Sequence, residues 1–315
     1  MELIRGLHNL RPHHRGSVVT IGNFDGVHRG HKVVLDQLAA KAAELGLPSL
    51  VMIFEPQPQE FFTPGRAPGR LTRFREKLCA LDVGAVDRVL CVRFGVDFAA
   101  VTAEHFVERI LFEGLGARYV VVGDDFRFGH GRAGDFAYLE KAGRRLGFEV
   151  AQQQTFSLDG ERVSSTAIRE ALERGDLARA AALLGYPFAM RGRVAHGDRR
   201  GRTIGYPTAN IHVHRRAVPL QGVYAVRVHG AADGPVAGVA NLGVRPTIAG
   251  GLPRPLLEVH LFDFSGDLYG RHVKVEFLDR IREERRFGSL EELKAQIARD
   301  EAHARAYFAG SGAAN

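Results

Sequence analysis

TIGNFDGVHRGH, residues 20–31, joins a short apolar run, Val18–Ile21, to a cluster of glycine, asparagine, aspartate and two histidines. The run has the length and β-branched content of a buried strand. Gly22, Gly26 and Gly30 permit tight turns and close approach of the backbone to a ligand. A helical pattern, HKVVLDQLAAKAAELG, follows and stops at Gly46. A helix beginning near His28–Gly30 points free backbone N–H groups above the sheet, where they attract phosphate. His28 and His31 stand three residues apart, so both rings are expected on one side, with their N–H groups aimed at the same phosphate. Gly22, Asn23, Phe24, Asp25, His28 and His31 are therefore candidate nucleotide-binding residues, and the two histidines are candidates for stabilising charge on a displaced phosphorus.

The same rhythm continues outward. Runs at 49–54, 88–94, 118–123 and 148–152 read as strands, and helical patterns fall at 73–81, 103–112 and 135–146. Strand–helix alternation predicts an α/β domain, a parallel sheet covered by helices, with ligands beyond the carboxyl ends of the strands. Both 20–31 and VGDDFRFGHG (122–131) fall at such ends. Near Tyr186 the rhythm changes to short runs separated by Gly, Pro and Asp: FAMRGRVA, TANIHV, GVYAVRVHG, PVAGVANLG, LLEVHLFDF and HVKVEFLD. These predict an antiparallel β barrel or sandwich, closed by a helix over 289–308. The domains are thus 1–185 and 186–315.

Composition is that of a soluble globular chain: 315 residues, 45% hydrophobic and 25% charged. No apolar stretch approaches the roughly 20 residues needed to span a bilayer, and the first residues lack the apolar core of a signal peptide, so a cytoplasmic protein is expected. The net charge of +7 favours anionic partners without choosing among them. Cys79 and Cys91 are the only cysteines, in apolar surroundings, and read as buried free thiols.

Two further stretches carry chemistry. VSSTAIRE (163–170) sets three hydroxyls before a helix, where Ser and Thr cap well. Arg169 then lies one turn into a helix whose N-terminus is already positive, a placement that an anion would relieve. Ser164, Thr166 and Arg169 therefore read as an opposite wall for a polyphosphate. In HGDRRGRTIGYPTANI (196–211), Gly197, Gly201 and Gly205 loosen the chain before Pro207, and Thr208 and Asn210 project two residues apart, on one face of a strand. Neutral hard oxygens suit Mg²⁺, with water and substrate phosphates completing its shell. Glu258 lies inside the apolar run PLLEVHLFDF (255–264). A half-buried carboxylate there is either ion-paired or useful, and beside a substrate hydroxyl it serves as general base.

H-x-G-H with S-S-T-x-I-R resembles the nucleotidylyltransferase superfamily. FEPQPQEFF (54–62), LTRFREKL (71–78) and VGDDFRFGHGRAGD (122–135), in this order and spacing, resemble the adenylyltransferase half of bacterial bifunctional flavin-cofactor synthetases. G-x-x-x-G-Y-P-T-A-N, the strand with Glu258 and R-x-E-x-R-F (282–287) resemble the riboflavin kinase domain. The resemblance implies a Rossmann-like domain followed by a kinase barrel. It implies ATP as co-substrate with Mg²⁺, riboflavin phosphorylated to FMN with release of ADP, and FMN adenylated to FAD with release of pyrophosphate. It also implies ATP and Mg²⁺ at Gly205, Thr208 and Asn210, Glu258 as base, and Arg282 near the flavin. Phe62, Phe126 and Phe128 suit a stacking pocket for the flavin ring, with Asp125 anchoring its polar edge, although phenylalanines also build cores and aspartates turns. Arg286 stands where that family usually has lysine. The partners expected are small molecules, without nucleic acid or membrane, for a monomer or weak homo-oligomer. Two other readings are an adenylyltransferase for another phosphorylated vitamin with a non-catalytic barrel, and an RNA-binding protein.

Overall fold

The computed structural model describes residues 1–83, 86–195, 205–215, 217–245 and 254–311. Gly197 and Gly201, expected to loosen the second motif, lie outside the described residues. The chain forms two compact units, Met1–Ala67 with Thr72–Ser164, and Pro68–Leu71 with Ser165–Asn315.

The first unit is built on a parallel sheet of β1 (Glu2–Arg5), β2 (Ser17–Ile21), β3 (Ser49–Glu55), β4 (Arg88–Arg93), β5 (Ala117–Gly123) and β6 (Glu149–Gln153), in the order β1-β4-β3-β2-β5-β6. Every residue of β2 is buried, as a central strand covered on both faces must be. Alternate residues feed two cores. Val18, Val51 and Val121 pack with Leu35 and Leu38 of α1 (Arg29–Leu45) and Leu81 of α3 (Phe74–Val83), the short α2 (Pro58–Phe62) lying between these helices in sequence. Val19, Leu50 and Val120 pack on the other face with Phe106, Leu111 and Leu139. After the short α4 (Val96–Ala99), the helix expected at 103–112 starts as α5 (Ala103–His105) and continues as a π-helix over Phe106–Gly114; α6 (Phe136–Leu146) and the paired β7 (Ser157–Leu158) and β8 (Glu161–Arg162) follow. β1 escaped the sequence reading because four residues of mixed polarity at a sheet edge carry almost no periodic signal.

The second unit holds α7 (Ser165–Glu173), α8 (Leu177–Leu184) and a closed antiparallel barrel. Its strands are β9 (Ala189–Ala195), β10 (Ala209–His212), β11 (Gly222–His229), β12 (Val236–Arg245), β13 (Arg254–Leu261) and β14 (His272–Arg282). Each of the six runs singled out in the sequence is one of these strands. Leu257, Val259 and Leu261 are buried while Glu258 and His260 between them are not, the alternation of a strand with one face in the barrel. The C-terminal helix, Leu290–Ser311, covers part of the outer face, where Ala304 packs with Val223, Ala225 and Val239.

One expectation is corrected. Both cysteines are free, but Cys79 is exposed and Cys91 only partly covered. Cys79 lies one position off the apolar stripe of α3, which the apolar neighbours in the sequence concealed.

Candidate active sites

The first site follows from strand order. Sequence order runs outward from β2 through β3 to β4 on one side and from β5 to β6 on the other, so the sheet reverses between β2 and β5. Crevices that hold ligands open at the carboxyl ends of strands at such a reversal. Residues 22–28 follow β2 and residues 124–135 follow β5.

The loop after β2 is strained. Phe24 and Val27 both adopt left-handed backbone, with φ of 47° and 38°, which for a β-branched residue is a rare and costly conformation. Asp25 holds it there from the inside. Buried, it accepts from the Thr72 backbone N–H at 2.9 Å and from the Thr72 hydroxyl at 3.1 Å, while that hydroxyl accepts from the Gly26 N–H at 2.9 Å. Asp25 thus holds the loop's shape, a role the sequence reading did not give it.

His28 caps α1: its Nδ1 accepts from the His31 N–H at 3.3 Å. That leaves Nε2 to carry the ring proton of neutral His28. The expectation that the two rings point alike is met in a specific form: they stack, with centroids 3.7 Å apart and planes 17° apart. Gly30 makes room, since a Cβ there would stand 3.3 Å from the His28 ring and from the Val163 carbonyl. His31 Nδ1 is buried without a hydrogen-bond partner among the described residues. Burial, then the neighbouring His28 and Lys77, hold the His31 pKa well below the ordinary histidine range, so its ring is neutral. Lys77 is fully buried. Sequence reasoning missed it, although a lysine on the Phe74–Leu78–Leu81 stripe was a signal.

The loop after β5 carries Asp124 and Asp125. Arg162 donates to Asp125 at 2.7 Å and approaches Asp124, whose carboxylate also takes the Thr155 hydroxyl. That hydroxyl, with Arg162, lowers the Asp124 pKa. Of the three candidate stacking rings, Phe128 is only 7% exposed and belongs to the core. Phe126 stacks on it at 5.4 Å, half-buried. Phe62 is 63% exposed. A chain of rings joins them through Phe94, Phe98 and Phe106 at centroid spacings of 5.3–6.3 Å. Ser164 belongs to the first unit, Thr166 and Arg169 to the second. Arg169 Nε donates to the Gly69 carbonyl at 2.7 Å, so a backbone acceptor already takes part of the charge for which an anion was expected.

In the second unit, register assembles the site. Asn210 on β10 pairs with Glu258 on β13, and Glu258 pairs in turn with Asn241 on β12. The three side chains form a row across the outer face of the barrel. Asn241 was not singled out in the sequence, and only strand register reveals it. Thr208, two residues before Asn210, lies at a pocket of about 540 Å³ that Pro207, Val259, Asp267 and Tyr269 also line. His260, next on the Glu258 face, donates from Nδ1 to the Pro207 carbonyl at 2.8 Å and so pins the loop that carries Thr208. Gly205, the other residue expected at ATP, is exposed in left-handed backbone.

Arg282 has a structural partner within its own unit. Its Nε and Nη2 grip the buried carboxylate of Asp300 at 2.8–3.0 Å, and Gln296 also donates to Asp300 at 2.7 Å. This fork fastens β14 to the C-terminal helix. Arg282→Ala would leave Asp300 buried without its cation and is expected to cost about 3 kcal/mol or more of stability, read as a lowered midpoint in thermal or urea unfolding. Arg286 is exposed.

Residues 10–167 match the FAD synthetase family and residues 184–308 the riboflavin kinase family. The bifunctional riboflavin kinase/FMN adenylyltransferase of Escherichia coli K12 is 55% identical over 309 residues, 98% of each chain. The chain belongs to the bifunctional riboflavin kinase/FMN adenylyltransferase family. The Pseudomonas fluorescens member of that family is also 55% identical, over 99% of each chain. A solved structure described as a macrolide-efflux protein from Streptococcus pneumoniae has 32% identity and a TM-score of 0.83, covering 97% of this chain and 99% of its own. The readings with a non-catalytic barrel or an RNA-binding barrel gain no support from these relatives.

Proposed function

We infer that residues 1–185 adenylate FMN and residues 186–315 phosphorylate riboflavin. The observation that carries this reading is the pairing of Glu258 with Asn210 in a family whose two halves both match. In the barrel the 5′-hydroxyl of riboflavin gives its proton to Glu258 as its oxygen forms a bond to the γ phosphorus of ATP. The bond from that phosphorus to the bridging oxygen breaks, and ADP leaves with the electron pair. Thr208 and Asn210 offer neutral oxygens, a donor set that fits Mg²⁺ when phosphates supply its other ligands. The bound ion supplies charge neutralisation at those phosphates.

In the first domain the FMN phosphate is already an anion, so no strong base is required. In this reading the N–H groups of His28 and His31 donate to the phosphates of a second ATP, and Ser164, Thr166 and Arg169 are the residues the S-S-T-x-I-R motif offers to hold them. Gly22 and Asn23 line the approach in this reading, while Phe24 is buried in the core and sets its ring 4.8 Å from that of His31. Phe62 and Phe126 offer exposed and half-exposed ring faces to the flavin, and Asp125 its polar edge. Pyrophosphate is the leaving group.

We place the enzyme in the cytoplasm as a monomer or weak homo-oligomer acting on small molecules rather than nucleic acid or membrane. Among the described residues no helix is long and apolar enough to cross a membrane. The test is a time course with riboflavin, ATP and Mg²⁺, separated by chromatography. FMN should rise first and FAD follow. Absence of FMN, or FAD formed only from an unrelated phosphorylated vitamin, would refute it.

A further inference from the structure

We propose that Asn241 is a substrate-specificity residue of the kinase site, its Oδ1 accepting a hydrogen bond from the ribityl hydroxyl on the carbon next to the reacting one. This rests on the reading of Glu258 as the base at the 5′-hydroxyl.

The argument starts from an unsatisfied atom. Asn241 Oδ1 is buried and has no hydrogen-bond partner among the described residues. A buried acceptor left unpaired is costly, and a site built to pair it with a substrate hydroxyl recovers that cost on binding. The amide is oriented from its other end: Nδ2 faces Glu284 Oε1 at 3.4 Å. A flip would set two acceptors against each other, so Oδ1 is directed away from Glu284. Gly243, two residues along β12, lets Glu284 come this close, since a Cβ there would stand 2.2 Å from Glu284 Oε1.

Direction then decides the ligand. Asn210, Glu258 and Asn241 succeed one another on adjacent strands, about 4.8 Å apart per step. With phosphate and its counter-ion at the Thr208–Asn210 end and the base in the middle, the attacking hydroxyl sits at Glu258. In-line transfer requires the rest of the alcohol to extend away from the phosphate. The ribityl chain therefore runs toward Asn241, and the next group along it is a hydroxyl, a donor that matches an orphan acceptor.

The test compares two substrates in the full-length enzyme: riboflavin, and 4′-deoxyriboflavin, which keeps the 5′-hydroxyl and lacks its neighbour. Kinase kcat and KM are measured for the wild type, Asn241→Leu and Asn241→Ser, with unfolding midpoints recorded for all three. With riboflavin, Asn241→Leu should lose roughly tenfold in kcat/KM, mostly in KM, and Asn241→Ser, which keeps an oxygen, should lose less. With 4′-deoxyriboflavin the three enzymes should be equal within about twofold. Equal losses on both substrates would overturn the proposal, as would a wild type that does not discriminate between them. Failure of the underlying reading shows separately: Glu258→Gln would then phosphorylate riboflavin at the wild-type rate. Should the leucine variant unfold, the serine variant carries the same comparison.

Discussion

Glu258→Gln is expected to reduce riboflavin phosphorylation by about 10²–10⁴-fold, the range over which a positioned general base acts. FAD formation from supplied FMN should stay within about twofold of the wild type. The change removes the carboxylate's proton affinity while keeping nearly its volume, so it tests chemistry rather than packing. Glu258 faces outward between the buried residues Leu257 and Val259, and glutamine there leaves the barrel interior untouched. The measurement is two separate assays on one preparation, riboflavin to FMN and FMN to FAD. Equal loss of both activities would refute separate sites.

The second large effect is expected at the stacked histidines. Replacing His28 and His31 together by Ala should stall the enzyme at FMN, lowering FAD formation about 10²–10³-fold, as removal of fixed donors does elsewhere. His28 also caps α1 through Nδ1, and loss of that cap alone costs about 1 kcal/mol. His28→Asn separates the two roles, because asparagine caps a helix well yet does not reach as an imidazole Nε2 does. It should therefore keep the unfolding midpoint while losing adenylyl transfer. If FAD accumulates at the normal rate in the double variant, the donor role is wrong.

His31 also sets a dependence on pH. Its pKa in the folded protein is held well below the ordinary value, first by burial and then by His28 and Lys77. In the unfolded chain it titrates near pH 6.5. Below about that pH the unfolded state binds a proton that the folded state refuses, so this contribution to stability is whole above it and falls with acidification. Unfolding midpoints of the wild type and His31→Ala should converge as the pH is lowered from 7.5 toward 5.

Much of this was legible in the chain itself. Alternation of buried runs with amphipathic helices predicts the parallel sheet, and the change of rhythm near Tyr186 predicts the barrel, because both periods are local properties of sequence. H-x-G-H at a helix start after a strand is legible for the same reason: strand, turn and helix start are contiguous. What stayed hidden depends on partners distant in sequence. The bond that ties Asp25 to Thr72 spans 47 residues and has no local signal in the sequence. The fork that Arg282 closes on Asp300, 18 residues on, is likewise set by tertiary packing. Asn241 had no signal, since an asparagine in a strand is unremarkable until register sets it beside Glu258.

TIGNFDGVHRGH and PTAN determine by themselves which polar groups are available and on which kind of element each is carried. Only the tertiary structure decides which of them are already spent on holding the fold. A hydrogen-bonding group satisfied from within the protein has little left for a substrate, whereas one left unsatisfied in a buried place does. By that measure Asp25 and Arg282 have partners within the fold, whereas His31 Nδ1 and Asn241 Oδ1 have none among the described residues.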